Sequence, residues 1–194
     1  SNLFTKILIS TDSEIYAKEG INAGAEVLEL RPKKLSDGKT TLAIVLKDLL
    51  LKLISKGEFY DNIISLQPTS PFLSVKSIKK SVKLFFEKDA SGVATISKII
   101  DFHPLTAQKI DKKGKISFLT KPKNIKELFP RQNRPNSYKF TGGLYLRKSK
   151  NILNYKDDGW ALGKKSYGVI VPTREATDIN YPEDVHMLKY FKKI

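Results

Sequence analysis

The sequence contains no cysteine. That excludes a disulfide framework, a thiol nucleophile and a cysteine-type zinc site. Long apolar runs are missing as well. The most apolar stretch, Leu42 to Ile54, carries Lys47, Asp48 and Lys52 on helical spacing, so it reads as an amphipathic helix and not as a bilayer span. The opening Ser1-Asn2-Leu3-Phe4 has neither the basic segment nor the apolar core of a signal peptide. These absences predict a cytoplasmic protein with no membrane partner. His103 and His186 stand alone, without a second histidine at metal spacing, and neither is given a catalytic role. No Walker-type loop and no Gly-x-Gly-x-x-Gly fingerprint occurs.

Acidic charge is scarce: 20 Asp and Glu face 35 Lys and Arg, for a net charge of +15. Such an excess favours anionic partners. Most of it is lysine scattered at helix positions such as Lys76, Lys79, Lys80 and Lys83. That pattern reads as a solvated surface. With no Arg-rich arm, zinc finger or aromatic RNA-binding signature, a nucleic-acid-binding module ranks behind the readings developed below.

What is present fits one globular domain over residues 1–194, with 40% of residues hydrophobic. Lys6 to Ser10 reads as a buried strand, followed by a helix capped by Asp12 or Ser13 and running to about Ala23. Ala25 to Leu30 is a strand, and Thr40 to Lys56 a long helix. Asn62 to Leu66 is a strand, Ser74 to Lys88 a helix and Val93 to Ile100 a strand. This alternation predicts an α/β fold with a mainly parallel sheet covered on both faces. Residues 101–139 break the pattern with short alternating pieces around a Lys112-Lys113-Gly114-Lys115 turn, a β-rich excursion. Gly142 to Arg147 returns to strand, Lys148 to Leu153 is a short helix and Gly168 to Val171 a strand. A helix from Pro182 to Lys192 ends the chain, with Pro in its first turn.

Two segments could carry chemistry. Leu66-Gln67-Pro68-Thr69-Ser70-Pro71 follows a strand, where α/β sheets keep their ligands. Its amide and hydroxyls suit a base edge or a ribose; a plain proline turn capping the next helix is an equal reading. Asp178-Ile179-Asn180 puts two oxygen-bearing side chains on one face of an extended segment, compatible with Mg²⁺ held together with substrate phosphates. On spacing alone, capping of the last helix is the simpler reading. Arg31, Arg131, Arg134, Lys139 and Arg174 are candidates for carboxylate or phosphate recognition, each individually compatible with a solvated charge. Gly142-Gly143 suggests close backbone approach or a bend. Trp160, after Asp157-Asp158-Gly159, packs either a ligand or the core.

Taken together and in order, these segments resemble the acylneuraminate cytidylyltransferase family. The resemblance rests on Ile9 to Ser13, on Glu29-Leu30-Arg31-Pro32 with Leu35-Ser36-Asp37, and on Leu66 to Pro71, which matches without a change. His103-Pro104, Arg131-Gln132, Gly142 to Tyr145, Thr177-Asp178-Ile179 and Pro182-Glu183-Asp184 follow in sequence. The resemblance implies a Rossmann-like nucleotide-diphospho-sugar transferase fold in which the 101–139 excursion serves dimerisation, hence a homodimer. It implies the reaction of CTP with an acidic nine-carbon sugar to give a CMP-sugar and pyrophosphate, with Mg²⁺. By motif position, Arg31, Gln67 and Ser70 would contact the nucleotide. Arg131 and Lys139 would face the sugar acid, Tyr145 and Trp160 would line its pocket, and Asp178, with Asn180, would bind the metal.

The sequence departs from the family pattern in four places. The opening strand and its phosphate-binding loop have no counterpart. Leu73, Thr141 and Asn180 stand where the family has Arg, Asn and Asp. These departures predict a truncated chain of weak or no turnover, with a catalytically dead binding or dimerisation module as the alternative.

Overall fold

The computed structural model describes residues 3–120, 126, 130–156 and 159–192. Among the described residues the α-helices and strands follow in the order α1 (Glu14–Asn22), α2 (Leu42–Ser55), β1 (Asn62–Leu66), α3 (Val75–Glu87), β2 (Gly92–Lys98), β3 (Gln108–Ile110), β4 (Ile116–Phe118), β5 (Tyr138–Lys148), α4 (Ser149–Leu153), β6 (Ser166–Ile170) and α5 (Val185–Lys192). Four strands form a sheet in the order β1-β5-β2-β6, and β3 and β4 make a separate antiparallel pair. The α/β class expected from the alternation is what the chain adopts.

Hydrogen bonds fix the strand directions. Ser91 N–H donates to Lys165 O and Val171 N–H to Ile96 O, so β2 and β6 run the same way. Partners of β5 run backwards. Lys148 N–H reaches Ser91 O while Ile99 N–H reaches Ser137 O; likewise Ser149 N–H reaches Asp61 O while Gln67 N–H reaches Gly143 O. β5 is therefore antiparallel to β1 and to β2, and the other three strands are parallel. Beyond Thr141 nearly every residue of β5 is buried, as a central strand between two neighbours requires.

Contacts divide the chain into two compact units. The first comprises Ser1–Ser65, Lys79–Val93 and Tyr145–Tyr167; the second Leu66–Ile78, Ala94–Leu144 and Gly168–Ile194. In the first, α2 places Ala43, Leu46 and Leu50 on one face, the i, i+3, i+7 stripe of a helix laid on a core. Ile152 and Tyr155 close against them. α1 starts at Ser13, whose side chain accepts from Tyr16 N–H, a standard cap. Two strands expected here reduce to one parallel bridge, Leu8 with Glu26. Side chains do the rest of the tethering: Lys6 Nζ lies 2.6 Å from Glu58 and 3.3 Å from Glu26. Both contacts favour the charged ammonium, so Lys6 titrates above its ordinary range and Glu58 below its own.

The second unit collects the loops that follow the carboxyl ends of the three parallel strands, after Leu66, Lys98 and Ile170. That end of an α/β sheet is where ligands bind. The expected 101–139 excursion contains β3 and β4, joined through Gly114 at φ 81°. Its residues 121–125 and 127–129, like Ser1, Asn2, Asp157 and Asp158, lie outside the described residues.

Candidate functional site

In the second unit, the segment after β1 turns tightly, with Ser70 N–H donating to Gln67 O at 3.0 Å. Its next residues begin α3. Ser74 caps that helix, its Oγ accepting from Ser77 N–H at 3.1 Å. Glu175 fastens the same corner, accepting from Ser74 N–H and Ser74 Oγ at 3.1 and 2.9 Å. A second tie, Ile179 N–H to Thr69 O at 2.8 Å, brings the Asp178 segment beside the Thr69-Ser70 turn.

These ties gather Ser70, Gly142, Gly143 and Asp178. A Cβ on Gly143 would stand 3.0 Å from Ser70 Cβ, and one on Gly142 would stand 3.7 Å from Asp178 Oδ2. Gly142 has φ 82°, a conformation that side-chain-bearing residues rarely adopt. Ser70 Oγ and Asp178 Oδ1 are both buried without a hydrogen-bond partner. A buried polar atom left unpaired costs about 1–3 kcal/mol; these two lie at one glycine pair, while Ser97 Oγ and Ser149 Oγ are unpaired elsewhere among the described residues. Asp178 Oδ2 accepts from Asn180 Nδ2 at 3.0 Å, so Asn180 turns its donor, not its oxygen, toward the carboxylate. Neither residue caps α5. Asp184 Oδ2 instead accepts from Asn180 N–H and Tyr181 N–H, each at 2.9 Å, closing a capping box on the 3-10 turn Pro182–Asp184 that leads into α5. The two donors hold its carboxyl below the ordinary range.

The other sequence candidates of this unit lie in different settings. Arg131 is exposed and 3.4 Å from Asp101. Lys139 is exposed on β5. Arg174 sits over the Phe72 and Phe191 rings and donates to Phe191 O, which makes it a clamp on α5. Thr141 is buried, its hydroxyl 2.6 Å from that of Thr95. Among the described residues no group of three or more His, Cys, Asp or Glu could hold a metal. Asp178 Oδ1, buried and unpaired, is a carboxylate oxygen of the hard type that Mg²⁺ takes alongside phosphate oxygens.

In the first unit, Arg31 donates through Nε to Ser36 Oγ at 3.0 Å and lies 3.5 Å from Asp12. Tyr145 is 4% exposed and stacks on Trp160, ring centroids 5.7 Å apart and planes 8° from parallel. Trp160 is 56% exposed and forms the outer face of that stack.

The model of a family described as "Cytidylyltransferase" matches residues 1–159. The chain belongs to this cytidylyltransferase family. Among curated relatives it is 30% identical, over 80% of its length, to a CMP-N,N'-diacetyllegionaminic acid synthase of Legionella pneumophila, of which it spans 65%. It is 26% identical over 94% of its length to N-acylneuraminate cytidylyltransferase A of Danio rerio, spanning 40% of that protein. Over its whole length it is 21% identical to a pseudaminic acid cytidylyltransferase of Campylobacter jejuni, spanning 81%. Its fold is similar to that of a CMP:2-keto-3-deoxy-manno-octonic acid synthetase solved with CTP, at a TM-score of 0.64 and 11% identity, covering 97% of this chain and 81% of that one.

Within this member of the family, sequence reasoning passed over Glu175, Thr95 and Arg147. Glu175 and Thr95 act through contacts at long sequence distance, which no local pattern reveals. Arg147 left a trace: a cation inside the apolar strand Leu144-Tyr145-Leu146-Arg147 is out of pattern for a central strand.

Proposed function

We propose that this chain transfers the cytidylyl group of CTP to an acidic nine-carbon sugar, forming a CMP-sugar and pyrophosphate. Three of its relatives are named for making or activating sugars of this kind. The observation that carries the reading is the pair of buried, unpaired oxygens of Ser70 and Asp178 beside the Gly142-Gly143 backbone.

In this reading Gln67 and Ser70 hold the nucleotide, with Arg31 as a further nucleotide contact. Arg131 and Lys139 face the sugar's carboxylate, while Tyr145 and Trp160 support its ring. The anomeric hydroxyl attacks the α-phosphorus, its oxygen forms the new P–O bond, and the bond to the β-phosphate breaks to release pyrophosphate. Asp178 would hold Mg²⁺, with Asn180 orienting that carboxylate through the N–H it donates to Oδ2; when bound, the ion offsets phosphate charge and acidifies the attacking hydroxyl. The β-rich excursion is proposed to join two copies of the chain. Use of CTP favours a cytoplasmic setting.

A second reading, binding without turnover, is favoured by Thr141, whose hydroxyl is engaged with Thr95 and offers nothing to a ligand. One experiment separates the two. CTP binding with Mg²⁺ is measured by calorimetry, and CMP-sugar formation is assayed with sialic, legionaminic and pseudaminic acids. The samples are this chain and any longer product of the same reading frame. Binding with product formation supports the transferase. Binding without product in both samples supports the inert homologue, and no binding in either removes both readings.

A further inference from the structure

Arg147 is 2% exposed, and no carboxylate among the described residues pairs with it. Burial pushes its guanidinium down to about 10. An arginine this deep without a counter-charge is costly, so its contacts indicate what keeps it there. Nε donates to Trp160 O at 2.9 Å, and Nη1 donates to Ser65 Oγ at 3.0 Å. Ser65 in turn donates to Tyr145 O at 3.3 Å. The guanidinium carbon lies 4.6 Å from the centre of the Tyr145 ring, within cation–π range. Tyr145 also stacks on the indole of Trp160 and so touches both the cation and the outer ring of the group.

The loop that carries Trp160 needs such a clamp. Gly159 has φ 127° and Ala161 φ 54°. A left-handed alanine persists only where its surroundings enforce it. Two hydrogen bonds grip the bend: Tyr155 Oη to Gly159 O at 3.0 Å, and Arg147 Nε to Trp160 O.

We propose that Arg147 is a positioning residue that locks the Trp160 indole flat over Tyr145, presenting its outer face as a platform for the ring of the sugar substrate. The platform's use for a sugar rests on the proposed function; the clamp itself does not. A lysine cannot replace it, because only a planar fork donates to both partners while stacking on the ring.

Trp160 is the single tryptophan of the chain, so its emission reports on the stack without any substrate. In Arg147→Met and Arg147→Lys proteins with far-UV circular dichroism like that of the parent, the emission should move to longer wavelength. Acrylamide quenching should rise about twofold as the ring leaves Tyr145. KM for the acidic sugar should increase about tenfold, with KM for CTP within twofold of the parent, a split that general loosening would not produce. Unchanged emission and quenching in a folded Arg147→Met protein overturn the proposal. So does full restoration by Lys, which would show that charge alone matters. Should both Arg147 variants fail to fold, Ser65→Ala removes one of the two bonds and decides: a smaller red shift supports the clamp, and none overturns it. A parent without sugar turnover would sink the functional reading and leave the fluorescence to judge the clamp.

Discussion

Asp178 and Ser70 each keep a buried oxygen unpaired within reach of a glycine pair, and the two positions respond differently to substitution. Asp178→Asn keeps an oxygen for the Asn180 amide and removes a partly buried charge. Its melting temperature should stay level or rise, while turnover falls by about 100-fold, the scale of losing one electrostatic contact in a transition state. Thermal melts beside steady-state assays check both. Gly143→Ala brings a methyl to 3.0 Å from Ser70 Cβ and 3.1 Å from its Oγ. Overpacking of that kind costs about 1–3 kcal/mol and displaces Ser70, so CTP affinity by calorimetry should drop along with stability. Gly142→Ala meets only Asp178 Oδ2, at an ordinary van der Waals 3.7 Å, and suffers mainly from its φ of 82°, at about 1 kcal/mol, with CTP affinity less affected. Both motifs around this spot were legible in the sequence, because a proline-stiffened hydroxyl segment after a strand and an Asp-x-Asn pair are local patterns. Arg147 and Glu175 were not, because their meaning comes from partners 82 and 101 residues away.

The elements that frame the site depend on a few polar ties, and one of them is sensitive to acid. Asp184 accepts two backbone N–H groups just before α5, and these hold its carboxyl below the ordinary value. A depressed carboxyl contributes stability above the unfolded-state value, about pH 4, and loses it as pH falls through the folded-state value. The melting-temperature gap between the parent and Asp184→Ala should therefore be full at neutral pH and close in acid. A series of melts from neutral to acidic buffer reads this directly, and a gap independent of pH would mean that the cap carries no charge. Periodicity also made most elements legible: α2, α3, β1 and β2 begin and end within two residues of their expected bounds. The reversed direction of β5 was not legible, since direction is set by which neighbours a strand meets and not by its own alternation. The amino-terminal strands failed for a related reason. Lys6 to Ser10 has strand composition but finds a single backbone bridge, with Ile7 left 54% exposed.

For the whole molecule, the apolar surface of the excursion bears on assembly. In the β3–β4 pair Ile110 stands opposite Ile116, and the two are 70% and 67% exposed. Leu119, Ile100 and Phe102 in the same stretch are 62%, 69% and 96% exposed. An isolated two-stranded hairpin is marginal in water, and so much apolar surface on one segment is what the proposed dimer contact would bury. A second copy of the chain would cover it. Burying an isoleucine is worth about 1.5–3 kcal/mol, so losing two from a dimer interface weakens it by roughly 10²–10⁴-fold. The double variant Ile110→Glu, Ile116→Lys should therefore sediment as a monomer at concentrations where the parent is a dimer. Far-UV circular dichroism of the variant should be unchanged, because both side chains point into solvent in the single chain. A parent that sediments as a monomer throughout would remove the dimerisation role, and a variant that stays dimeric would move the interface elsewhere. A mass that falls only on mutation ties assembly to these two residues.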